Sequence, residues 1–147
     1  MSQAKILTDR EYRKVLLYIA AHRHASRNKA ILYMSHLAGL RVGEISHLTI
    51  NDVLNQDGTI KDEIYLSADK TKGSRGRTVL FPEKLRDELY NYLSIRFRLK
   101  DLKAVAQTDT SRALFYNQRN PNTGFSPNTL TQWFHYLYKN AGVEGAS

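Results

Sequence analysis

Apolar residues recur at helical spacing through most of the chain and give way to a different texture in the middle. Thr8-Asp9-Arg10-Glu11 has the Thr-x-x-Glu form of a capping box. It predicts a helix starting at about residue 9, with Tyr12, Val15, Leu16 and Ile19 on its apolar face. A second helix runs from about Arg27, with Ala30, Ile31, Met34 and Leu37 on one side and Gly39 where a helix end wants a left-handed residue. A short third helix follows, over about Val42 to Leu48. From Thr49 to Pro82 the pattern becomes strand-like: Asp57-Gly58 is a hairpin-turn signal, and Ile64-Tyr65-Leu66 and Thr78-Val79-Leu80-Phe81 are strand candidates. Pro82 closes the second of these and opens a fourth helix, whose face is Leu85, Leu89, Tyr92 or Leu93, and Phe97.

A polar connector spans about residues 100 to 112, and Ala113-Leu114-Phe115-Tyr116 suits either a strand or a turn. Ser126-Pro127 starts the last helix, which points Leu130, Trp133, Phe134, Leu137 and Tyr138 inward and ends at Gly142. The expected fold is mostly α with a small three-stranded antiparallel β-sheet, an α+β arrangement in a single domain covering residues 1–147.

Charge narrows the choice of partner. Lys and Arg number 22 against 14 Asp and Glu, a net +8 that favours a polyanion, nucleic acid being the commonest. The chain has no cysteine, which excludes disulfides, thiolate zinc sites and thiol nucleophiles. Its five histidines show no metal-ligand spacing, so no cofactor is expected. No apolar run approaches the ~20 residues of a membrane span, and Met-Ser-Gln-Ala-Lys lacks a signal peptide's apolar stretch. A cytoplasmic protein is expected.

Two segments stand apart from the packing pattern. Ala38-Gly39-Leu40-Arg41-Val42-Gly43-Glu44-Ile45 sets an arginine at a helix start, with a glutamate three residues on and so on the same face. A guanidinium there suits a phosphate, because its donor fork matches phosphate oxygens. As a plain surface pair the two charges would contribute only a few tenths of a kcal/mol, about what such pairs are worth. The second segment is the loop Asp69-Lys70-Thr71-Lys72-Gly73-Ser74-Arg75-Gly76-Arg77 between the strand candidates. Four cations on a hairpin tip can track a nucleic-acid backbone, and a lysine among them can protonate a leaving alkoxide. The bland alternative is a solvated loop.

Taken in order, Gly-Leu-Arg-Val-Gly-Glu-Ile-Ser-His-Leu, the Lys-Thr-Lys-Gly hairpin and Arg-Thr-Val-Leu-Phe-Pro resemble the tyrosine recombinases of the phage-integrase type. Leu7-Thr8 with Glu11, and Ser126-Pro127-Asn128-Thr129-Leu130 leading through Phe134 to Ala141-Gly142-Val143, extend the resemblance over nearly the whole chain. It implies a tyrosine attack on a DNA phosphodiester without a metal, with arginines holding the phosphoryl group and a hairpin lysine as general acid. By position it makes Arg41 the first phosphate-clamping arginine, Glu44 its acidic brace and Lys72 the general acid, with Lys70 a near rival. Lys70, Arg75 and Arg77 become DNA contacts.

The family's His-x-x-Arg segment should follow Ala141-Gly142-Val143 within a few residues, whereas the sequence ends at Ser147. The resemblance therefore implies a partial catalytic domain, without the N-terminal core-binding domain or the C-terminal catalytic segment. Tyr136 and Tyr138 lie too early to be the nucleophile, His135 has no arginine three residues on, and Trp133 reads as core. Such a piece should bind double-stranded DNA weakly, with little sequence preference, and not cut it. It should also expose apolar surface, inviting self-association or contact with other recombinase protomers.

Two other readings fit parts of the sequence. A helix-turn-helix regulator would use Ser35, Gly39, Ile45 and Leu48 at its small, turn and core positions, with the helix from Val42 in the major groove. Against it, Gly43, Ile45 and Ser46 are poor base readers. A basic RNA-binding module would need exposed aromatics for stacking, yet most tyrosines fall at core spacing.

Overall fold

A computed structural model describes residues 6–67, 75–117 and 120–143, the last of these without side chains for residues 120–122. In chain order the elements are α1 (Asp9–Ala20), α2 (Ala25–His36), α3 (Val42–Ser46), α4 (Ile50–Val53), β1 (Glu63–Leu66), β2 (Arg77–Leu80), α5 (Glu83–Phe97), α6 (Lys103–Ala106), β3 (Tyr116–Asn117), β4 (Asn120–Gly124) and α7 (Pro127–Asn140). The expected capping box is present: Thr8 N–H donates to Glu11 Oε1 at 2.9 Å, and Glu11 N–H to Thr8 Oγ1 at 3.2 Å.

α2 is the central element. The consecutive run Ala30, Ile31, Leu32, Tyr33 and Met34 is buried, as happens when a helix is wrapped on every side. It packs against α5, α1 and α3, and Leu85, Leu89 and Leu93 of α5 complete the core around it. Gly39 carries φ +71 after the end of α2, a left-handed conformation that costs an L side chain roughly 1 kcal/mol and glycine nothing. The turn it makes brings the chain directly into α3.

The expected three-stranded sheet is not what forms. β1 and β2 pair antiparallel, with Leu66 opposite Arg77 and Glu63 opposite Leu80, and β3 and β4 make a separate two-stranded sheet. The Asp57-Gly58 turn does form, but it closes on itself. Asn55 N–H donates to Thr59 O at 2.8 Å and only the isolated Leu54–Ile60 bridge survives as ladder. With their hydrogen bonds spent within that turn, these residues do not add a strand to β1.

The polar connector also holds a short helix, α6, and then laces into α3 and α4. Leu114 N–H donates to Leu48 O at 2.9 Å, while Ile50 and Asn51 N–H take the carbonyls of Arg112 and Thr110. Those two bonds satisfy donors that the start of α4 would otherwise leave open. On its other side the segment is clamped by α5: Tyr92 Oη–H donates to Leu114 O at 2.6 Å, and Arg96 Nη1 to Ala113 O and Leu114 O at 2.9 and 2.8 Å. Burial pushes the Tyr92 hydroxyl up to about 12, so it stays a donor throughout the neutral range. The chain from α5 through residues 113–114 to residues 48–51 fixes the C-terminal end of α3.

Candidate nucleic-acid interface

α3 is five residues long, and its geometry decides what Arg41 can do. Arg41 sits at the N-cap with extended backbone (φ −80, ψ 157), and its N–H donates to Glu44 Oε1 at 2.8 Å. Glu44 is buried at 2% exposure. The sequence reading expected a charge pair between the Arg41 and Glu44 side chains, whereas Glu44 takes only the Arg41 backbone N–H. The Arg41 side chain is exposed and carries no hydrogen bond or ion pair among the described residues.

The guanidinium that does reach Glu44 is Arg77. Its Nη2 lies 2.7 Å from the same Oε1 that accepts the Arg41 N–H, and 3.4 Å from Gly39 O. Arg77 is the first residue of β2 and stands opposite Leu66, the last of β1. It therefore marks the base of the loop that carries the remaining cations. A short carboxylate–guanidinium contact with one partner almost wholly buried is the kind whose disruption leaves an uncompensated charge in the interior. The pair spans 33 residues of sequence and joins the hairpin to α3.

Of the other site residues expected from sequence, Arg75 is exposed beside Arg77, and Lys70 and Lys72 lie outside the described residues. Tyr138 is buried, and burial pushes its hydroxyl up to about 12. Tyr136 is 60% exposed on the opposite face of α7. Trp133 is partly buried, stacked edge-on to Phe134 at 4.9 Å. Among the described residues no three His, Cys, Asp or Glu side chains gather as metal ligands, and no helix is long and apolar enough to cross a membrane.

Sequence reading missed two further arginines. Arg27 is buried at 2% exposure, with Nη1 3.4 Å from Tyr116 O and its guanidinium 5.3 Å from the Phe125 ring centroid. Arg96 lies 5.3 Å from the Tyr116 ring centroid while gripping residues 113 and 114. Their signal was faint: an arginine at an apolar helix position, which reads as surface charge until its long-range carbonyl partners are known.

α3 is also unsuited to reading bases. Glu44 and Ile45 face the interior, Ser46 Oγ–H donates to Gly43 O at 2.9 Å, and His47 Nδ1 lies 2.7 Å from the same carbonyl. A helix this short, with its polar side chains turned back on itself, cannot serve as the recognition helix of a helix-turn-helix regulator. That alternative is set aside.

The comparisons with known proteins agree. The model of the phage integrase family matches residues 5–147. The tyrosine recombinase XerA of Pyrococcus furiosus is 29% identical over 141 residues, covering 95% of this chain and 43% of that protein. The tyrosine recombinase XerC of Thermodesulfovibrio yellowstonii is 33% identical over 93 residues, 63% of this chain and 28% of that protein. A crystal structure of XerA recombinase shares the fold at a TM-score of 0.65 and 24% identity, over 99% of this chain and 45% of that one. The chain spans less than half the length of these relatives.

Proposed function

The chain belongs to the phage integrase family, and from that membership we propose that it is the DNA-gripping part of a tyrosine recombinase catalytic domain, cytoplasmic and acting on double-stranded DNA. The single observation that carries this reading is Arg41. Its guanidinium is exposed and without a partner among the described residues, while its backbone is fixed by a buried carboxylate. The fixed backbone sets where this guanidinium can reach, and its open donor fork matches phosphate oxygens.

In the full reaction such an arginine holds the phosphoryl oxygens, and Lys72, or Lys70 on the same loop, gives the leaving oxygen its proton. Glu44 braces Arg41. Arg75 and the loop lysines follow the DNA backbone and confer affinity without sequence choice. Cleavage requires a second arginine and a nucleophilic tyrosine for which these 147 residues offer no matching positions. The reading therefore includes strand exchange only as the work of a longer protein or of several protomers together.

The test is duplex binding by the 147-residue chain, followed by a denaturing gel. Arg41→Gln is expected to weaken binding about tenfold, equally for unrelated sequences, which is what loss of one charge-assisted phosphate contact does. No covalent protein–DNA adduct is expected from the parent. A tight preference for one short operator, or an adduct that survives denaturation, would contradict this reading.

A further inference from the structure

We propose that Arg77 is a positioning residue that works through Glu44, and not one of the phosphate contacts. The inference rests on the reading of Arg41 given above and adds what keeps that side chain available. Glu44 Oε1 takes two donors, the Arg41 N–H at 2.8 Å and Arg77 Nη2 at 2.7 Å. The carboxylate is 2% exposed, so solvent does little to satisfy it, and it must find a cation within the protein. Arg77 serves, and the guanidinium that competes with it is that of Arg41, the N-cap residue three positions before Glu44.

The contact with Arg77 thus settles a competition. With Arg77 in place the carboxylate is neutralised from the hairpin side, and it holds Arg41 only by the backbone. The Arg41 side chain then projects into solvent. Without Arg77, Glu44 turns to the Arg41 guanidinium, and the group meant for phosphate is spent inside the protein. Because Arg77 also opens β2 opposite Leu66, the same contact ties the base of the lysine-bearing loop to α3.

Arg77→Gln, Glu44→Gln, the double variant and the reference Arg41→Gln separate these roles. Duplex affinity of the 147-residue chain is read by fluorescence anisotropy across salt. Guanidinium NMR of arginine-labelled protein reads the pairing of Arg41 without DNA. In Arg77→Gln the Arg41 Nε–H signal is expected to shift and its exchange to slow, and affinity to fall as far as in Arg41→Gln. The salt slope should lose about 0.9, one phosphate contact. Adding Glu44→Gln should return both the Arg41 signal and the affinity to those of Glu44→Gln alone. Arg77→Lys, which keeps the charge, should retain most of the binding and serves if Arg77→Gln unfolds.

A double variant as weak as Arg77→Gln would make Arg77 a phosphate contact and overturn the proposal. So would an unchanged Arg41 signal in Arg77→Gln. An Arg41→Gln that binds like the parent would instead overturn the reading of Arg41 itself.

Discussion

His24 shows how much a single residue can carry. It caps α2 in a left-handed conformation (φ 60, ψ 35), with its ring edge-on to Tyr116 at a centroid distance of 6.3 Å. Burial, and then the charges of Arg27 and Arg23, hold its imidazolium below the ordinary value of 6.5. The unfolded chain therefore takes up this proton before the folded one does. Stability from His24 is full above about 6.5 and is lost as the pH falls through the lower folded value. His24→Gly removes both the titration and a backbone cost of roughly 1 kcal/mol. It is expected to raise Tm at pH 7 and to flatten the fall in Tm between pH 7 and 5.5. Parallel falls in parent and variant would show that another group sets the acid limb.

Among the elements, caps and turns were the most legible in sequence, because their chemistry is local. Thr8 with Glu11 and Ser126 with Thr129 cap α1 and α7, and Asp57-Gly58 makes its turn. The four-residue helices α4 and α6 were not legible, since one turn of helix shows no apolar period; they are held by neighbours and not by propensity. Gly58 shows the dependence. It carries φ +87, and a Cβ there would run into the backbone N of Lys103 and lie 2.9 Å from the Leu102 carbonyl carbon. Gly58→Ala combines left-handed strain with overpacking, so a loss of roughly 2–4 kcal/mol is expected from the urea midpoint. An unchanged midpoint would mean that α6 yields without cost.

Over the whole molecule, the helical core was readable from the spacing of Leu85, Leu89, Leu130, Phe134 and Leu137, all of them buried. The unbroken buried run from Ala30 to Met34 in α2 was harder to see, because a single amphipathic face was expected. The sheet was misjudged, since a turn signal does not say whether its flanks extend a ladder or close on themselves. Arg41 and Glu44 stood out by local spacing, whereas the Arg77–Glu44 pair spans 33 residues and no local pattern announces it.

Leu17, Leu80, Ile95 and Tyr136 are each at least 60% exposed, so light scattering of the 147-residue chain is expected to show mass rising with concentration. A constant monomer mass would count against self-association. The most direct test of phosphate gripping is duplex affinity measured from 50 to 200 mM salt. With three or four cations on phosphates the slope of log affinity against log salt should be roughly −3, a loss of roughly sixtyfold over that range. A flat response would contradict the claim that this chain holds DNA by its backbone.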